Sequence, residues 1–310
     1  MSAAGRRPDN AGRTTVIGTR GSRLALAQTE TVAESLRRLH PGLDLRLQTV
    51  STEGDRVTSG PLPSWGRGVF VRDLEAALLA GEIDLAVHSL KDIPPQLPAG
   101  LAILAVPPRA DPGDVLVSAA GRTLESLPRG ATVGTSSLRR AAFLLAARPD
   151  LRLVPVRGNV DTRWRKLLDP GSGLDALVLA AAGLDRLGLE SAPRAPIPLE
   201  VLLPAPGQGA LGLEGREDDR CHREVAGALH DPATGAAVAA ERRLVRDLES
   251  GCRLPVAALA TVRPDDQLHL EGAVAATDGS RTLRGTIRGP LSEAEPLGAA
   301  LAARLIRDGA

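Results

Sequence analysis

The chain of 310 residues has no tyrosine, only two phenylalanines, Phe70 and Phe143, and only two tryptophans, Trp65 and Trp164. Hydrophobic residues make up 43% of it and are nearly all Ala, Leu and Val, so aliphatic packing has to build the core. The two cysteines, Cys221 and Cys252, could in principle pair, but in a reducing compartment they read better as thiols. Five scattered histidines and no cysteine pair at ligand spacing argue against a metal site. A dominant charge is missing too: the formal net charge of +1 provides no global field to draw a nucleic acid. No apolar run approaches the roughly 20 residues of a bilayer span, and "MSAAGRRPDNAGR" has no apolar stretch of a secretory signal. These absences predict a soluble, cytoplasmic protein with no nucleic-acid or membrane partner. Lysine is nearly absent as well, with Lys91 and Lys166 the only two among 38 basic residues. So strong an arginine bias, with abundant Ala and Gly, has the look of a GC-rich coding background. Lys91 stands out against it, chance retention being the plain alternative.

A chain this long exceeds one comfortable core, and two or three domains are expected. Residues 14–20 read as a strand, followed by a helix that starts at Ser22 and carries Ala25, Val32, Leu36 and Leu39 on one stripe. Strands are predicted over Leu43 to Ser51 and Ile83 to Val87, with a helix over Val69 to Ala80 between them. Glu53 to Gly68 is rich in Gly, Pro and Ser, which suits a mobile lid or binding loop. A second α/β run begins near Pro108, with strands at Asp114–Ser118, Thr132–Gly134, Leu151–Val156 and Leu177–Ala180. Its helices fall at Leu138–Ala147 and Asp161–Leu168. Alternating strands and helices imply mainly parallel sheets, whose ligands sit at strand C-terminal ends. From about residue 229 the pattern becomes a small α+β module: a helix over Thr234 to Leu248, strands with an Asp278-Gly279 hairpin signal, and a final helix.

Three strand-to-helix junctions carry hydroxyls and guanidinium groups. "IGTRGSRLA" places Arg20 and Ser22 there, "VGTSSLRRA" places Ser137, Arg139 and Arg140, and "VRGNVDTR" places Arg157, Asn159 and Arg163. Helix N-termini offer unpaired N–H groups and partial positive charge, and arginine forks complete a carboxylate or phosphate seat. Each junction alone is also what an ordinary helix cap looks like. Three in comparable places point to a polyanionic ligand. No Gly-x-x-x-x-Gly-Lys-Ser/Thr pattern exists, so an NTPase phosphate loop is disfavoured.

"AVHSLKDIPP", residues 86 to 95, ends an apolar strand with His88, Lys91 and Asp92. A carboxylate at that exit can move protons and steady a cation on a substrate, although a turn-capping aspartate before Pro94 is the commoner outcome. His88 by itself reads as a satisfied buried histidine. Cys252 in "ESGCRLP" has small neighbours and a loop position that suit covalent attachment. A buried inert thiol is the usual fate of a lone cysteine.

Taken in order, "TRGSRLALAQ", "GRGVFVRDLEAALL", "DLAVHSLKDIPP", "GTSSLRRAAFL", "RGNVDTR", "AAGLDRLGL", "LPAPGQGALGLE" and "ERRLVRDLESGCRLPV" resemble the porphobilinogen deaminase family over nearly the whole chain after residue 14. The resemblance implies a transferase that joins four porphobilinogen units head to tail with loss of ammonia, giving hydroxymethylbilane. It further implies a dipyrromethane primer held covalently by a thioether to Cys252, with Asp92 as catalytic aspartate and Lys91 as its basic neighbour. Arg139, Arg140, Arg163 and Ser137 would bind the cofactor together with Lys91 and Asp92. Arg20, Ser22, Arg157, Phe70 and Arg186 would bind the substrate. The implied fold is α/β, with two lobes resembling type II periplasmic binding proteins and a small C-terminal α+β domain. Domain 1 would be 14–107 with 204–228, domain 2 108–203, and domain 3 229–310 carrying Cys252. A monomer is expected. The lid departs from the family pattern at Trp65 and Arg67, and Ser250 and Leu254 are unusual around the cysteine. The rival reading from another class is a non-catalytic anion-binding protein of the same two-lobed build, which would need neither Asp92 nor Cys252.

Overall fold

The computed structural model describes residues 14–51, 71–189, 193–248 and 254–310. The chain divides into two compact units, one from residues up to Pro108 with Leu211–Gly235, the other from Arg109–Ala210 with Ala236–Ala310.

The first unit opens with β1 (Thr15–Arg20), α1 (Arg23–Leu39), β2 (Leu45–Val50), α2 (Arg72–Leu79) and β3 (Leu85–Ser89). A single 3-10 turn over Leu90–Asp92 follows, then β4 (Leu101–Ala105). After crossing to the second unit the chain forms β5 (Asp114–Val117), β6 (Thr132–Gly134), α3 (Leu138–Ala147), β7 (Arg152–Val154), α4 (Val160–Leu168), β8 (Ala176–Ala180), α5 (Ala181–Asp185) and β9 (Arg194–Pro196). It returns to the first unit for β10 (Leu211–Arg216) and α6 (Arg220–Gly227). The last elements are α7 (Pro232–Leu248), β11 (Val256–Val262), β12 (Gln267–Ala275), β13 (Thr282–Pro290) and α8 (Ala294–Arg307).

The first sheet runs β2-β1-β3-β10-β4 and the second β7-β6-β8-β5-β9. In both, four strands run in one direction and one lies antiparallel, inserted between the third strand and the outer edge strand. Those inserted strands, β10 and β5, are the first strands formed after each crossing. The two lobes therefore share one topology, each completed by a strand arriving from the other. Parallel alternation was expected; the antiparallel insertion was not, because nothing local in "LGLEGR" reports which strand it will lie beside.

The first sheet is covered on both faces. Ile17, Leu85, Val87 and Leu213 pack with Val32 and Leu36 of α1, while Ala86, Ile83 and Leu101 pack with Leu74 and Leu78 of α2. Alternation along a strand forces this division, since successive side chains point to opposite faces. Of the expected α1 stripe, Ala25, Val32 and Leu36 are buried, but Leu39 is 52% exposed because it sits in the last turn beyond the sheet. The C-terminal three-stranded sheet, β11-β12-β13, also buries both faces. Ala257, Leu259, Ala273 and Ala275 join the core of the second lobe, and Ala258, Ala260, Leu268 and Leu270 pack with Leu244 of α7 and Leu301 of α8. Small alanines on the lobe side allow the close approach that an aromatic-poor chain needs.

Candidate active site

In the first unit the residues expected at the strand exits do meet. Arg20, Ser22, Ala25, Gln28, Val71, Val87, His88, Ser89 and Asp92 line one cavity of about 60 Å³. Ser22 caps α1, its Oγ accepting from Ala25 N at 3.3 Å, so the sequence reading of a cap is correct at the same residue proposed for ligand binding. Asp92 closes the 3-10 turn that ends β3, half-buried beside Lys91. Gln28, which sequence reasoning passed over, donates from Nε2 to Ser89 Oγ at 2.9 Å and so ties α1 to the end of β3. An amide among the buried residues of α1 was the available signal. Phe70, like Trp65, Arg67 and the whole Glu53–Gly68 segment, lies outside the described residues.

In the second unit, Ser137 caps α3 by accepting from Arg140 N, and Arg139 and Arg140 occupy the first turn. Both guanidinium groups are buried and converge on Asp114, at the start of β5. Arg139 Nη2 donates to Asp114 Oδ2 at 2.7 Å, and Arg140 donates to Oδ1 through Nε at 2.9 Å and Nη2 at 2.7 Å. Gln208 Nε2 adds a bond to Oδ1 at 3.1 Å, while Leu203 O and Val178 O accept from the remaining fork nitrogens. Burial pulls the Arg139 pKa down, against the pull of the Asp114 charge upward. Asp114 was not foreseen: a lone aspartate before "VLV" carries no motif.

Arg157 and Arg163 flank the capped start of α4, where Asn159 accepts from Thr162 N at 2.9 Å and Arg163 Nε donates to Gly158 O at 2.8 Å. Arg186 follows α5 and donates to Gly209 O at 2.7 Å; burial lowers its pKa. Cys252 lies outside the described residues.

The donor set fits a polycarboxylate. Guanidinium groups cluster at helix N-termini in the second unit, and Arg139 Nε is a buried donor with no hydrogen-bond partner among the described residues. Asp84, Asp219 and His222 gather closely enough to suggest a cation site, but Arg216 already sits there, donating to Asp84 Oδ1 at 2.9 Å and Asp219 Oδ2 at 3.0 Å.

Two family models match the chain. One describes the porphobilinogen deaminase dipyromethane cofactor binding domain, over residues 15–224, and the other the porphobilinogen deaminase C-terminal domain, over residues 236–307. Among curated proteins, the porphobilinogen deaminase of Desulforudis audaxviator is 52% identical over 299 residues, covering 96% of each chain. That of Rubrobacter xylanophilus is 52% identical over 296 residues, covering 95% of this chain and 94% of its own. Among solved structures, the methionine binding protein MetQ is similar at a TM-score of 0.43 and 14% identity, over 70% of this chain and 89% of that one. So weak a likeness adds nothing to the lobe topology described above. Matched by both family models and at this identity along almost its whole length, the chain belongs to the porphobilinogen deaminase family.

Proposed function

We propose that the chain performs its family's reaction with Asp92 as the catalytic carboxylate and Cys252 as the covalent anchor. Porphobilinogen deaminases join four porphobilinogen molecules head to tail with release of ammonia, giving hydroxymethylbilane in tetrapyrrole biosynthesis. When bound, dipyrromethane supplies the pyrrole on which the product is built.

The chemistry asks two things of the protein. Each porphobilinogen brings two carboxylates, which need fixed cations, and its protonated aminomethyl group loses ammonia, which takes the C–N electron pair and leaves an azafulvenium cation on the methylene carbon. A carboxylate held at about 4 Å from such a cation attracts it by about 4 kcal/mol at an effective dielectric near 20. Asp92 takes that role in this reading, supported by its sharing a cavity with Arg20 and Ser22, which would seat a substrate carboxylate. Lys91, its neighbour in the turn, balances the local charge. Ser137, Arg139, Arg140, Arg157, Arg163 and Arg186 supply carboxylate seats for cofactor and substrate, as does the aromatic face of Phe70 for a pyrrole. The division into domain 1 (14–107 with 204–228), domain 2 (108–203) and domain 3 (229–310), a monomeric state, a cytoplasmic location and the lack of nucleic-acid or membrane partners belong to the same reading. No helix among the described residues is long and apolar enough to cross a membrane.

The observation that carries the proposal is the meeting of Asp92 with Arg20 and Ser22 in one cavity. Asp92→Asn keeps the size and removes the charge. Ammonia release from porphobilinogen should then fall by roughly 100-fold or more, with the thermal midpoint unchanged. A near-normal rate would remove Asp92 from the mechanism.

A further inference from the structure

Three buried titratable groups beneath the Asp92 cavity have no part in that mechanism. Leu213 and Val87 face the α1 side of the first sheet, so alternation sends Glu214 of β10 and His88 of β3 to the α2 side. The antiparallel register pairs Gly212 with His88 and Glu214 with Ala86, which makes His88 and Glu214 diagonal neighbours on one face. Glu75, one turn into α2, is buried against that face. His88 lines the cavity with Asp92, Arg20 and Ser22, and its Nε2 lies 3.0 Å from Glu214 Oε2. At that distance the two groups touch without hydrogen-bond alignment. His88 Nε2, both carboxylate oxygens of Glu214 and Oε1 of Glu75 have no hydrogen-bond partner among the described residues.

Two buried carboxylates thus face a single imidazole. A buried carboxylate without a matching cation takes up a proton rather than remain charged. Burial raises the Glu75 pKa first and the charge of Glu214 raises it further, while His88 and Arg72, exposed on α2, act in the opposite sense. β4, the other strand packed on α2, contributes no titratable side chain, and Arg216 at the end of β10, which donates to Leu78 O of α2, is taken by Asp84 and Asp219.

We propose that Glu75, Glu214 and His88 form a buried proton-holding cluster beneath the Asp92 cavity, with the proton on Glu75, and that it positions the Asp92 turn by keeping a second negative charge out of the β3–β10 seam. Loss of the proton sets two carboxylates against each other under the end of β3, four residues before Asp92. His88, which shares the cavity wall, is the member that transmits the disturbance. The positioning role rests on the reading of Asp92 as the catalytic carboxylate; the protonation state does not.

Isotope-edited infrared spectroscopy of the full chain, labelled with ¹³C at glutamate carboxyls, tests the proton directly. A carboxylic-acid C=O band is expected at neutral pH, absent from Glu75→Gln. In Glu214→Gln it should titrate at lower pH, because the charge that helps hold the proton is gone. Absence of the band from the unsubstituted chain, or its survival in Glu75→Gln, overturns the cluster whatever Asp92 does. For the positioning role, kcat should fall on the alkaline side as Glu75 ionises, and Glu75→Gln should abolish that limb with KM unshifted. A fall in kcat by one constant factor at every pH would mark Glu75 as merely structural and overturn the role.

Discussion

At the scale of the residue, an arginine that sequence reasoning assigns to a ligand carboxylate is given a carboxylate by the protein itself. Arg139 and Arg140 share Asp114 through bonds of 2.7 to 2.9 Å, so a bound anion has to share these forks or use the uncommitted Arg139 Nε. Arg139→Leu therefore has a cost independent of any ligand. Breaking a buried pair from one side typically costs 3–5 kcal/mol, and about 3 kcal/mol is expected here, because Arg140 and Gln208 still donate to Asp114. Denaturant unfolding measures that loss. An unchanged unfolding free energy would show that Asp114 is solvated or otherwise satisfied. The junction hydroxyls were legible in the sequence because capping chemistry is local: Ser22, Ser137 and Asn159 all accept from a backbone N–H three residues on. Asp114, Gln208 and Glu214 were not, since each finds its partners from 25 to 126 residues away and no short pattern records that.

At the scale of the element, positions and types were largely legible, and neighbours were not. The strand at Thr132–Gly134 and the helix at Leu138–Ala147 fall where periodicity places them, whereas β4, β9 and β10 escaped notice as short pieces without a clear period. The Asp278-Gly279 hairpin illustrates the difference. Its turn was predicted, but not that Gly279 would lie against α3, the helix bearing Arg139 and Arg140. Gly279 has φ +75, and a Cβ there would come within 2.6 Å of Ala146 N and 2.9 Å of Ala142 O. Gly279→Ala should cost more than about 1 kcal/mol, since both the backbone conformation and the space oppose it. An unchanged thermal midpoint would mean that the hairpin tip does not dock on α3. Glu241 of α7 does similar work at the crossing segments. It accepts from Arg109 Nη1 and Nη2, from Gly207 N at 2.7 Å and from Ala260 N at 2.8 Å. Glu241→Ala strands a nearly buried guanidinium and two amides, and about 3–5 kcal/mol of stability should go with it. A loss under 1 kcal/mol in chemical denaturation would contradict that network.

At the scale of the whole molecule, two lobes of one topology each take in a strand from the chain's other excursion. Such a build depends on ion pairs that hold returning segments, and these respond to pH. Asp219, at the cap of α6, would be raised by burial, but bonds from the His222 N–H and imidazole and from Arg216 bring its pKa down to about 2. An unfolded aspartate titrates near 3.9, so ionised Asp219 stabilises the fold above that value, and the contribution disappears as pH falls from about 4 toward 2. It amounts to about 2 kcal/mol. Asp219→Asn should lose that much at neutral pH and converge with the unsubstituted chain in acid. Parallel curves over the whole range would deny the pair its role. The central claim, an acidic oligopyrrole grown from a sulfur at residue 252 with Asp92 steadying the cation left as ammonia departs, is tested most directly by intact mass spectrometry of the purified chain. The account predicts a dipyrrole adduct in thioether linkage to Cys252, absent from Cys252→Ala. An unmodified thiol that stays unmodified after incubation with porphobilinogen would contradict it.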